Sequence, residues 1–193
     1  MRKNGVIVPP RSTKNIYTIA ETIRSAFSKV MKLPLCVPID RIYEVLPELI
    51  EGFSFEIVTR AKIGDDHGLT YPDKQIIRIR EDIYDGACRG NRRDRFTMAH
   101  ELGHLFLHRG VRFARSPHNT TVPIYMNSEW QADTFASGFL VDEGFLRRCE
   151  SVEEVADTFG VSIAAAKCRF SKNEGRAGAA TPARPFHQGS WMA

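Results

Sequence analysis

The chain has 193 residues, of which 42% are hydrophobic and 26% charged, an ordinary balance for a folded protein that can bury one core, with room for a small appendage at most. No apolar run approaches the roughly 18 residues needed to span a bilayer, and the opening Met-Arg-Lys-Asn-Gly-Val-Ile-Val-Pro-Pro has too short an apolar stretch for an export signal, so the protein is expected to stay in the cytoplasm. The net charge of +4 is mild, and the basic cluster at 89–95 reads as a solvated face rather than a nucleic-acid site.

Ile16, Ile19, Ala20, Ile23, Phe27 and Val30 recur at helical spacing and predict a first amphipathic helix. Pro34 and Pro38 break the pattern. Ile39, Ile42, Tyr43 and Leu46 predict a second, shorter helix that Pro47 ends or interrupts. Residues 53–59 alternate apolar and polar, Ile76–Arg80 is β-branched, and Tyr71-Pro72-Asp73-Lys74 supplies turn chemistry, which together predict a small antiparallel sheet. Helical spacing returns over 93–108 with Gly110 as a stop, and 111–127 reads as a long connection.

Ser128 with Gln131 has the form of a capping box ahead of Ala132, Phe135, Ala136, Phe139 and Leu140, a helix with one apolar face. Ser151 with Glu154 opens a further helix closed by Gly160, and Ser162 caps a last one ending near Phe170. From 171 the composition turns to Gly, Ala, Pro and polar residues, the signature of a flexible tail. The expected organisation is therefore a mostly helical α+β core over 1–148, two helix-turn-helix-like helices over 149–170 packed on it, and a tail over 171–193. Cys36, Cys88, Cys149 and Cys168 form no Cys-x-x-Cys pair and read as free, mostly packed thiols.

The chemistry is carried by His100-Glu101-Leu102-Gly103-His104. On a helix the two imidazoles lie one turn apart on one face, roughly 5–6 Å between Cβ atoms, close enough to share one metal. Zinc suits neutral imidazole nitrogen and leaves a coordination position for water in a catalytic site, and Glu101 reaches that water from the side as general base. A random chain of this length contains the pattern with a probability of roughly half a per cent, and the helical setting strengthens the reading.

A third ligand must come from elsewhere. Glu129 and Asp133 share a helix face four positions apart, so Glu129 can bind the metal while Asp133 accepts from the free ring nitrogen of a ligating histidine. His108 is the rival, but it has drifted about 80° around the helix from His100, which favours Glu129. His67, His118 and His187 read as surface groups, with His118 or Tyr125 on the long connection as candidates for stabilising the oxyanion. Imidazole and carboxylate ligands admit Mn2+ as well as Zn2+.

The run Arg95-Phe96-Thr97-Met98-Ala99-His100-Glu101-Leu102-Gly103-His104-Leu105-Phe106-Leu107-His108, followed by Glu129-Trp130-Gln131-Ala132-Asp133-Thr134-Phe135-Ala136, resembles the ImmA/IrrE family of metallopeptidases, with weaker likeness over 16–170. The resemblance implies a zincin-like, gluzincin-type site with His100, His104 and Glu129 on zinc and Glu101 as base. It also implies that the strand Ile76, Ile77, Arg78, Ile79 and Arg80 holds an extended substrate by main-chain pairing. The partner it implies is a helix-turn-helix transcriptional repressor, cleaved to release phage, mobile-element or stress genes. The chain departs from the family pattern after Phe139-Leu140, where Val141-Asp142-Glu143 replaces an apolar residue and Pro. Two rival functions remain: a zinc-stabilised module that docks a repressor without hydrolysis, and a DNA-binding regulator using Lys167 and Arg169 of the last helix. The scarcity of basic side chains there favours packing or repressor holding over DNA contact.

Overall fold

A computed structural model describes residues 5–111 and 122–177. The elements in chain order are α1 (Thr13–Met31), α2 (Ile39–Leu49), β1 (Ser54–Val58), α3 (Arg60–Ile63), β2 (Gly68–Tyr71), β3 (Ile76–Arg80), α4 (Glu81–Cys88), α5 (Arg92–Leu107), α6 (Ser128–Leu140), α7 (Glu143–Leu146), α8 (Val152–Phe159) and α9 (Ile163–Ala177). The class is α+β, mostly helical with one small sheet. Among the described residues no helix is long and apolar enough to cross a membrane.

Helix α5 runs through the middle of the core, with Met98, Ala99, Leu102, Leu105 and Leu107 buried. Helix α6 lies against it, and α1 covers the far side of α6, where Phe27 meets Phe139 edge-on at 6.2 Å between ring centroids. Arg24 of α1 donates from Nη1 to the carbonyl of Phe139 at 2.8 Å, satisfying one of the carbonyls that the last turn of a helix leaves without a partner. Tyr43 of α2, fully buried, donates to the Met98 carbonyl at 2.9 Å and so ties α2 to the same central helix.

The sheet differs from the antiparallel expectation. Its order is β1-β3-β2: β1 pairs with β3 in parallel, Ser54 opposite Ile76, while β2 pairs with β3 antiparallel, Gly68 opposite Ile79. The connection from β1 to β3 is long enough to bring the chain back in the same direction, which two strands joined by a tight turn cannot do. The central place of β3 also overturns the expectation that Ile76–Arg80 pairs with a substrate, because both of its edges are already hydrogen-bonded to neighbours.

Four local expectations change as well. Cys36, Cys88 and Cys168 are exposed rather than packed, and only Cys149 is partly covered. Pro47 lies inside α2, which continues to Leu49. The cap of α6 is Asn127, whose side chain accepts from Trp130 N, while the Ser128 hydroxyl is occupied by the Val6 amide. Helix α9 extends to Ala177, past the boundary near Phe170.

At the C-terminal end, Ser151 and Ser162 accept from Glu154 N and Ala165 N, as capping residues do. This pair is fastened to the core by Arg95, which donates to the carbonyls of Gly160 and Val37 at 2.8 and 2.7 Å. Arg169 is buried, donates to Glu143 at 2.9 Å and stacks 4.1 Å from the Tyr17 ring centroid. It is therefore a packing residue and not the DNA contact considered above; Lys167 is exposed. The departure at Val141-Asp142-Glu143 has a use here too: Asp142 caps α7 by accepting from Phe145 N, and Glu143 holds Arg169.

Candidate metal centre

Helix α5 starts at Asn91, whose side chain accepts from Arg93 N and Asp94 N and fixes the phase of the turns that follow. Two turns on, His100 and His104 point the same way, with their Nε2 atoms 3.0 Å apart. Glu129, in the first turn of α6, faces both: one carboxylate oxygen is 3.5 Å from His100 Nε2 and the other 3.4 Å from His104 Nε2. The three donor atoms all lie within 4.8 Å of one another, and among the described residues this is the one group of His, Cys, Asp and Glu so arranged. Two imidazoles and a carboxylate are a donor set that fits zinc with a coordination position left over.

The close approach of α5 and α6 depends on Gly103. A Cβ there would lie 2.9 Å from Ala132 Cα and 3.0 Å from its carbonyl oxygen, so only a residue without a side chain lets the helix bearing Glu129 come this near. Asp133, one turn beyond Glu129, meets His100 Nδ1 at 2.8 Å, as the spacing suggested. Burial works against the charged form of His100, but hydrogen bonds to Asp133 and Glu129 and the nearby Glu101 carboxylate push its pKa up to about 10. Burial would raise the pKa of Glu129; the hydrogen bonds and charges of His100 and His104 outweigh it and hold the carboxyl well below the usual range.

Glu101 is buried on the flank of this group. Thr70 of β2 donates from Oγ1 to its Oε2 at 2.6 Å, and the same hydroxyl lies 3.1 Å from the Glu101 carbonyl. Gly68 makes room for the carboxylate: a Cβ there would sit 2.7 Å from Glu101 Cγ. Strand β2 therefore forms the wall of the site. The Arg80 amide bonds the His67 carbonyl at 3.0 Å, and the register that follows turns the main-chain groups of Gly68 and Thr70 away from β3, toward the open edge of the sheet. That edge borders a cleft of about 1150 Å³ whose walls include Val6, His67, Leu69, Phe96, His100 and Glu129.

The remaining candidates fall out differently. His108 is fully buried and turned from the three donor atoms, with its Nδ1 3.0 Å from His104 Nδ1; burial, with His104 next, pushes its pKa down to about 4, so it is a neutral neighbour of the site. Tyr125 is half-exposed and stands outside the lining of the cleft. His118 lies outside the described residues. His67, read from sequence as a surface group, lines the cleft. Sequence reasoning missed Thr70 and Gly68, because no signal in a short Gly-containing strand announces the helix it packs against.

A family model, Peptidase_M78, described as the IrrE N-terminal-like domain, matches residues 56–171. The chain belongs to this family of metallopeptidases. No curated protein matches the chain, and no solved structure does.

Proposed function

We propose that this protein is a zinc-dependent endopeptidase that cuts one peptide bond in a regulatory protein, a helix-turn-helix repressor being the substrate class that the family resemblance suggests, and that it works in the cytoplasm. The observation that carries the reading is the convergence of His100, His104 and Glu129 beside a buried Glu101 and an open strand edge. His100, His104 and Glu129 would hold the ion, which when bound lowers the pKa of water and polarises the scissile carbonyl.

The chain's own groups account for the rest. An extended segment adds to the edge of β2, its main chain pairing with Gly68 and Thr70, the role that the central β3 cannot take. Glu101, held by Thr70, takes the proton of the attacking water at its carboxylate and delivers it to the leaving amine as the C–N bond breaks. Asp133 keeps His100 in the tautomer that presents Nε2 to the ion.

The test is incubation of the purified protein with a repressor encoded next to its gene, with and without a chelator. Cleavage is expected with zinc, none with chelator, and none from Glu101→Gln, which should still bind zinc. Relief of repression by Glu101→Gln in cells would favour docking without hydrolysis. Duplex binding with a steep salt dependence would favour a DNA-binding role.

A further inference from the structure

Among the described residues no carboxylate stands behind His104 as Asp133 stands behind His100. Its Nδ1 instead begins a hydrogen-bonded chain: His104 Nδ1 to His108 Nδ1 at 3.0 Å, His108 Nε2 to Gln131 Oε1 at 3.2 Å, and Gln131 Nε2 to the carbonyls of Pro9 and Tyr125 at 2.9 and 2.8 Å. His108 and Gln131 are both fully buried.

The chemistry of its two ends, carbonyls at one and the ion-facing Nε2 of His104 at the other, places the protons along it. Carbonyl oxygens only accept, so the Gln131 atom facing Pro9 and Tyr125 must be the NH2 group, and the amide oxygen must face His108. An amide oxygen also only accepts, so His108 carries its proton on Nε2. His104 turns Nε2 to Glu129 as the ligand atom, so its ring proton lies on Nδ1, and the close His108 Nδ1 is the lone pair that accepts it. What remains on His104 is a lone pair at Nε2, the atom that faces Glu129 and His100.

We infer that Gln131 and His108 are positioning residues that fix the tautomer and ring orientation of His104, with the main chain of the N-terminal segment as the anchor of the relay. The anchor is itself built into the fold. Val8 N donates to the Met126 carbonyl at 2.9 Å, Ser128 N to the Val6 carbonyl at 3.1 Å, and Arg11 N to the Tyr125 carbonyl at 3.1 Å, so both carbonyls that read Gln131 are held in place. The two ligand histidines are thus oriented by different means, His100 by an exposed carboxylate and His104 by a buried hydrogen-bond chain. The inference rests on the proposal that His100, His104 and Glu129 bind zinc.

Two measurements test it. Long-range proton–nitrogen NMR of the zinc-loaded wild-type protein reads the tautomers directly: a proton on Nδ1 of His104 and on Nε2 of His108 is expected, and a His108 proton on Nδ1 overturns the relay. Zinc affinity by chelator competition is then compared for Gln131→Leu and Gln131→Glu. Leucine cannot accept from His108 and should weaken zinc binding about 10–100-fold, the usual cost of losing a partner behind a ligand. Glutamate still accepts from His108 although it gives up the amide donations to Pro9 and Tyr125, so its affinity should stay within a few-fold of wild type. Equal losses in both variants would make Gln131 a tie for the N-terminal segment alone, and no loss in Gln131→Leu would remove its role altogether; either overturns the inference. If the variants do not fold, the wild-type spectrum decides. A wild-type protein that binds no zinc would remove the parent proposal and this inference with it, whereas wild-type binding with unresponsive variants removes this inference alone.

Discussion

Replacing Gly103 by alanine tests packing rather than chemistry, because the change adds only a methyl group and lies where the two ligand-bearing helices touch. On an exposed helix Gly→Ala stabilises by about 1 kcal/mol through the unfolded chain and helix propensity. Here the new Cβ falls 2.9 Å from Ala132 Cα, 3.0 Å from Ala132 O and 3.2 Å from Phe135 Cβ, and the first two are backbone atoms that cannot swing aside. Overpacking of this kind costs about 3 kcal/mol at the upper end of its usual range, which leaves a net loss of about 2 kcal/mol. For a chain of this size that lowers Tm by roughly 4–8 °C. Because α6 must move outward to relieve the contact, Glu129 recedes from His100 and His104 and zinc affinity falls as well. Calorimetry on the metal-free protein and chelator competition on the loaded one read the two effects. An alanine variant as stable as wild type with unchanged zinc affinity would refute the idea that this contact sets the spacing of the ligands.

Thr70→Val removes the 2.6 Å hydrogen bond to Glu101 at nearly constant shape; kcat should fall roughly 10–100-fold, with zinc binding unchanged and Thr70→Ser restoring most of the rate, and full activity in the valine variant would contradict the positioning role. The raised pKa of His100, about 10, gives zinc binding a pH dependence with a definite sign: the ion needs the neutral ring, so each ion bound below that pH releases one proton from His100, while Glu129 is already ionised and adds none. Affinity should therefore rise about tenfold per pH unit between roughly pH 7 and 8. Calorimetry in two buffers of different ionisation enthalpy measures the release, and a heat independent of buffer would contradict it.

The parts legible in the sequence were those that depend on spacing along one helix. His100 and His104, and Glu129 and Asp133, are each four apart, so their shared faces follow from helical geometry before any tertiary contact is known. The cap of α6 was misplaced by one because Asn127 and Ser128 are both good capping residues, and only the engagement of Ser128 with Val6 from the far end of the chain decides between them. Strand order was illegible for a different reason. The pairing of β3 with both neighbours depends on a crossover, and β2 is four residues long with a glycine at its start, so neither its existence nor its place beside α5 leaves a periodic trace. By pattern His108 reads as a rival ligand and Gln131 as half of a capping box; their place in a hydrogen-bond chain that joins α5, α6 and the N-terminal segment shows only in the tertiary structure. Arg169 reads as a basic surface residue until Glu143 and Tyr17 are seen to enclose it.

The central claim is that one metal ion is held jointly by α5 and α6. Anomalous diffraction at the zinc absorption edge on crystals of the zinc-loaded protein tests it most directly: one strong peak is expected within bonding range, roughly 2.0–2.2 Å, of Nε2 of His100, Nε2 of His104 and a carboxylate oxygen of Glu129. A protein with no peak between these residues, or with its zinc bound elsewhere, would contradict the account.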